Sequence, residues 1–179
     1  MLIVVDCETD GPAPGHELYS LVSFGAVVVE PALNRTFRGR LKPISNKWMP
    51  DALAISGIGR DVHEAYPPPA DVMLEFVRWV KAQSDGKRAT FISDNLGFDW
   101  SFINYYLWYY AGENPFGFSG RRLNDLFAGW MGNASATQGW KKFRKTPHTH
   151  DPVDDAMGMA EALLEMKARG LKIDLIPAA

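Results

Sequence analysis

Four consecutive aliphatic residues, Leu2-Ile3-Val4-Val5, run straight into Asp6-Cys7-Glu8-Thr9-Asp10-Gly11-Pro12, so an apolar stretch ends in two acids spaced i and i+2. Such a run reads as a strand covered on both faces. Side chains two apart on a strand share a face and lie about 6.6 Å apart along the backbone. Asp6 and Glu8 therefore face one way together, and Cys7 the other. Paired carboxylates in a poorly solvated place repel, and they either share a proton or hold a divalent cation. Asp6 as a strand end and Glu8 as the opening of a turn through Asp10-Gly11-Pro12 explains the same residues without any chemistry. On this segment alone the two readings stand level.

A chain of 179 residues, 46% apolar, is long enough for one domain with a proper core, residues 1–179. A net charge of −2 excludes a generally basic nucleic-acid coat, so any phosphate-binding surface must be local or supplied by metal ions. The lone cysteine forbids an intramolecular disulfide, and no apolar stretch has the length of a signal segment or membrane span. A cytoplasmic protein without a membrane partner is the expectation. Cys7 reads as a small strand side chain and not a nucleophile, because no histidine lies near it in sequence. The glycine-rich turns of dehydrogenases and NTPases, the serine elbow and paired CxxC motifs are all missing.

The next segment, Leu18 to Glu30, has a core from Leu21 to Val29 that is strongly β in type and ends at Pro31, and Arg35 to Pro43 alternates polar and apolar residues as an edge strand does. With the first strand they predict an antiparallel meander. Pro50 to Ile55 is a candidate short helix of no readable function. Pro69 opens a helix with Val72, Phe76, Trp79 and Val80 at helical spacing. Ala89 to Ile92 is a short buried strand, and Ser93-Asp94-Asn95 supplies capping residues for a helix from about Gly97 to Ala111. Arg121 to Phe127 reads as strand running into helix, Gly139 to Lys145 as a basic turn or short helix, and Pro152 to about Arg169 as the last helix.

Asp99 shares a helical stripe with Phe102, Ile103 and Tyr106, which argues against a merely solvated acid at a helix start. In the last helix Asp154 and Asp155 point about 100° apart. Asp154 falls in line with Gly158, Glu161 and Glu165, a solvated face, whereas Asp155 falls in line with Met159, Ala162 and Met166 and looks inward. Asp151 with Pro152 is a good N-cap and N1 pair. His150, one residue before that cap, is tied to a rigid element; His148 is its competitor.

These segments together resemble the DEDDh branch of the 3′→5′ exonuclease superfamily. Asp6-Cys7-Glu8-Thr9-Asp10-Gly11 resembles its first motif, Asn95-Leu96-Gly97-Phe98-Asp99 its second, and His150-Asp151-Pro152-Val153-Asp154-Asp155-Ala156 its third, in order. The similarity runs from about Leu2 to Lys167, with Asp94 standing where many members carry histidine. It implies an α/β, ribonuclease-H-like fold: a five-stranded mixed sheet flanked by helices on both faces. It implies Asp6, Glu8, Asp99 and Asp155 as metal carboxylates and His150 as general base, with Thr9, Asn95 and Phe98 against the substrate. Two Mg²⁺ or Mn²⁺ ions would suit all-oxygen ligands and phosphodiester hydrolysis, and an imidazole can take the proton of the attacking water.

The implied activity is 3′→5′ removal of nucleoside 5′-monophosphates from single-stranded RNA or DNA. A catalytically silent nucleic-acid-binding module and a small-nucleotide phosphodiesterase are the alternatives, and the intact set of acids and histidine speaks against the first. Lys141, Lys142, Arg144 and Lys145 run into the loop bearing His150 and form a candidate phosphate-gripping patch, with Trp140 and Phe143 anchoring it to the core. Trp100, Tyr105, Tyr106, Trp108, Tyr109 and Tyr110 are read mostly as packing, with a homodimer contact as their other use.

Overall fold

The structure is a computed structural model that describes residues 1–175. Its centre is a five-stranded mixed sheet in the order β3-β2-β1-β4-β5. Strands β1 (Leu2–Thr9), β2 (Leu21–Val28) and β3 (Thr36–Arg40) form the antiparallel meander, with β3 at the edge. On the other side β4 (Thr90–Ser93) and β5 (Gly120–Arg122) run parallel to β1.

The period-2 geometry of β1 sorts its side chains between two cores. Ile3, Val5 and Cys7 face a cluster with Phe24, Phe76, Phe91 and Phe102. Helices α3 (Pro69–Gln83) and α4 (Leu96–Tyr106) supply its Phe76 and Phe102. Leu2 and Val4 face the second cluster with Val27, Ile92, Trp140, Ala160 and Leu163. That side is covered by α5 (Leu123–Trp130), a 3₁₀ turn (Gly139–Phe143) and α6 (Pro152–Ala168). Asp6 and Glu8 continue the even series where the sheet runs out. Trp140 is fully buried with its indole N–H on Asn124, and Phe143 packs beside it, so both aromatics anchor the basic segment.

Two short helices, α1 (Pro50–Ile55) and α2 (Arg60–Glu64), fill the connection between β3 and α3. The second was not foreseen, because five residues carry too little periodicity to register. The aromatic helix breaks after Tyr106 into a π-helical turn, Leu107–Ala111, closed by Gly112 in the left-handed region. The expected cap is also different: Asn95 is the N-cap of α4 but makes no side-chain cap bond, and Ser93 is buried under the helix instead of capping it. Tyr106 packs in the core, whereas Trp108 and Tyr109 stand exposed. Among the described residues no helix is long and apolar enough to cross a membrane.

Candidate active site

The acids meet where β1 and β4 end. Asp6 pairs across the sheet with Gly25 and Glu8 with Ser23, and β1 shifts register between Glu8 and Thr9. β4 lies beside β1, so the turn after Ser93 delivers the first turn of α4, with Asp99 buried, to the same edge. α6 enters from the opposite face. The Asp151 carboxylate accepts N–H bonds from Val153 and Asp154 as N-cap, and Arg38 of β3 grips it with two bonds of 2.6 and 2.8 Å. That fork fixes where α6 begins and turns Asp155 onto the sheet, where it is buried.

Oxygen atoms of Asp6, Glu8 and Asp155 lie within 4.8 Å of one another. Asp99 lies near enough to repel both Asp6 and Glu8, and its Oδ2 is buried with no hydrogen-bond partner. Burial drives Asp6 well above the ordinary carboxylate range, with Asp99, Glu8 and Asp155 adding repulsion. Burial likewise holds Glu8 up at about 8 and Asp99 up at about 7. Burial also pushes the Cys7 thiol up, so Cys7 is inert packing under the acids.

Both histidines reach the cluster. His150 Nδ1 is 3.9 Å from Glu8 Oε1, and the ring remains 47% exposed. Its backbone sits at φ 60, a conformation that costs a non-glycine residue. His148 packs edge-on against it at 4.3 Å and places Nδ1 2.8 Å from Asp155 Oδ1. The sequence separated the two only by their distance from the helix cap; contact with Asp155 had no local signal.

Beside Glu8 opens an apolar cleft of about 340 Å³, lined among others by Thr9, Pro12, Met49, Ile55 and Phe98. Thr9 donates its hydroxyl to Gly11, while Asn95 is exposed at the start of α4. The α1 wall of this cleft was not readable from sequence. A buried ion pair holds it: Arg60 bonds Asp10 Oδ2 at 2.6 Å and also donates to the Ser45 carbonyl, while Met49 N–H bonds the Asp10 carbonyl.

On the other flank Lys141, Arg144, Lys145 and His148 border a groove of about 500 Å³ with Asp94. The four expected cations are not equivalent. Lys142 leans over Phe127 and Phe143. Arg144 turns its guanidinium inward onto Asp155 at 2.8 Å. The stripe expected to be solvated is covered as well: Glu161 accepts bonds from Lys145 N–H, Thr146 N–H and the Thr146 hydroxyl, and Thr149 bonds Asp154.

The 3′-5′ DNA exonuclease Cap18 of Escherichia coli is 34% identical to this chain over 189 aligned residues, covering 97% of this chain and 96% of the relative. The profile of the family described as Exonuclease matches residues 3–163. The chain belongs to the exonuclease family. The fold agrees with this assignment. Cell-death related nuclease 4 superposes with a TM-score of 0.73 at 17% identity, over 94% of this exonuclease and 64% of that longer chain. Exonuclease X, solved in complex with 5′ overhanging duplex DNA, superposes with a TM-score of 0.66 at 19% identity, over 95% and 93% of the two chains. This exonuclease is thus a 3′-5′ enzyme with the ribonuclease-H-like fold, as the DEDDh motifs implied.

The family is metal-dependent, and the residues present fit a cation. Among the described residues no lysine or arginine pairs with Asp6, Glu8 or Asp99, and Asp99 carries a buried unpartnered oxygen. Carboxylate oxygens crowded in a buried site, whose one arginine partner among the described residues is Arg144 on Asp155, are the donor set of a hard divalent ion.

Proposed function

We propose that this exonuclease, acting as a single catalytic domain, removes nucleoside 5′-monophosphates from the 3′ end of single-stranded DNA with two Mg²⁺ or Mn²⁺ ions. The observation that carries the reading is the convergence of Asp6, Glu8 and Asp155 within 4.8 Å at the mouth of an apolar cleft. DNA as substrate follows the relative at 34% identity, which is named a DNA exonuclease.

Asp6, Glu8, Asp99 and Asp155 would hold the ions. Bound there, divalent ions supply an activated water, a clamp on the scissile phosphate and relief of charge on the leaving oxygen. The chain's own residues do the rest. Met49, Ile55 and Phe98 offer apolar surface to the terminal base, and Met49 and Ile55 are exposed enough to receive it. Water attacks the last phosphorus, the bond to the 3′ oxygen of the preceding nucleotide breaks, and the departing mononucleotide keeps the phosphate. His150 stands on the open side of Glu8, where its imidazole can take the proton of the attacking water. Lys141 and Lys145 flank the path of the upstream strand.

Matched DNA and RNA oligomers labelled at the 5′ end, incubated with Mn²⁺ and read as ladders, test the reading. A ladder shortening one nucleotide at a time on DNA, faster than on RNA, is expected, and Asp99→Asn should abolish it. Equal rates on both, or cleavage of a chromogenic nucleotide ester with the oligomers intact, would sink it.

A further inference from the structure

The segment from Arg144 to His150 is seated along α6, and one side chain ties its parts together. The Arg144 guanidinium crosses α6 at Gly158, where a Cβ would come within 2.7 Å of its Cζ and Nη2. From there Nε donates to the Thr146 carbonyl at 3.3 Å, and Nη2 donates to the Pro147 carbonyl at 3.3 Å and to Asp155 Oδ1 at 2.8 Å. The side chain is only 12% exposed, so this charge is committed inward. Asp155 Oδ1 also accepts from Thr149 N–H and lies 2.8 Å from His148 Nδ1, while Oδ2 accepts a single bond, from His150 N–H. A carboxylate oxygen has two lone pairs. Oδ1 is therefore filled by donors, and Oδ2 retains an unused pair.

We propose that Arg144 is a positioning residue for metal binding, and that Gly158 exists to admit it. The inference rests on the reading of Asp155 as a metal ligand. By fixing the rotation of the Asp155 carboxylate, Arg144 keeps one oxygen free for an ion shared with Asp6 and Glu8. Through the Thr146 and Pro147 carbonyls it holds the loop that presents both histidines. Glycine in the middle of a helix weakens it relative to alanine. Gly158 has no positive φ to account for its presence, whereas the room it leaves for the guanidinium does. Outer-shell partners of metal ligands typically contribute about 10- to 100-fold to affinity.

The test is calorimetric titration of the metal-free full chain with Mn²⁺, using Arg144→Ala, Gly158→Ala, the double variant and Asp155→Asn, with melting temperatures alongside. Arg144→Ala and Gly158→Ala should each weaken Mn²⁺ binding by about tenfold or more. The double variant should bind no worse than Arg144→Ala alone, because a methyl group at 158 then meets no guanidinium, and it should melt above Arg144→Ala through its better helix. Wild-type affinity in both single variants with binding lost in Asp155→Asn overturns the role of Arg144 and leaves the metal reading standing. Additive losses in the double variant overturn the pairing with Gly158. Wild-type binding by Asp155→Asn removes the metal reading itself, and this inference with it.

Discussion

Gly25 and Pro152 are in backbone contact: a Cβ on Gly25 would collide with the Pro152 carbonyl and with the Val153 nitrogen that follows it. Gly25 is the residue paired with Asp6, so the first turn of α6 rests on the strand directly beside the first acid. This missing side chain sets the distance between the acids of β1 and Asp155. Gly25→Ala must lift the start of α6 or bend β2, and overpacking of this kind costs about 1–3 kcal/mol. Activity should fall further than stability, because a misplacement of about 1 Å can cost 100-fold in rate. Melting temperature and DNA hydrolysis measured on the same sample check this; a folded Gly25→Ala protein with wild-type rate would refute it.

What was legible in the chain follows from range. The facing of Asp6 with Glu8 and the choice of Asp155 over Asp154 depend only on strand and helix period, and the structure places Asp155 inside as its stripe requires. Asp99 was marked by the apolar residues on its own helical face. Gly25 and Gly158 carry no local signal, and Arg144 reads from sequence only as a phosphate-gripping cation, because each matters through a segment that packs on it from elsewhere in the chain. Glu161 was misplaced for the same reason: a polar stripe looks solvated until a loop folds back to hydrogen-bond it. The π-helical turn after Tyr106 was hidden by aromatic residues that continue a helical pattern across it.

Burial of the acids, with their mutual repulsion added, makes the metal-free protein sensitive to base. Glu8 rises from 4.5 to about 8 on folding and Asp99 from 3.8 to about 7, so the folded state binds protons more tightly than the unfolded chain. Stability from these two groups is fully present below about pH 4 and is lost as pH rises through about 7 to 8. The metal-free melting temperature should therefore fall between pH 5.5 and 8.5. Mn²⁺ displaces the same protons, so the rise in melting temperature that it produces should grow over that window. Thermal scans in chelator and in Mn²⁺ decide the matter, and a metal-free curve that rises with pH would contradict the assignment.

His150 is held in a left-handed backbone conformation by the cap of α6 on one side and its N–H bond to Asp155 on the other. His150→Gly removes the ring and relieves that conformation together. Turnover should drop by about 10²- to 10⁴-fold with Mn²⁺ affinity nearly unchanged, since a base is not a ligand. Imidazole added to the buffer should restore part of the rate. Loss of Mn²⁺ binding in this variant would instead make His150 a ligand.

The basic segment separates into lysines that line the groove and cations placed otherwise. Lys141, Arg144 and Lys145 border the groove beside His148, but the Arg144 guanidinium is committed to Asp155, and Lys142 lies outside the groove over Phe127 and Phe143. Each phosphate contact on a single strand contributes roughly 0.7 to the log–log salt slope. Replacing Lys141 and Lys145 with alanine together should raise KM on long single strands and flatten the slope by about 1.4, twice that value. Lys142→Ala should leave the slope unchanged. A dinucleotide has no upstream phosphates for the lysines to grip, so its turnover should be insensitive to both changes. Equal losses on dinucleotide and long strand would mean that the two lysines support the histidine loop, and the groove would then carry no strand.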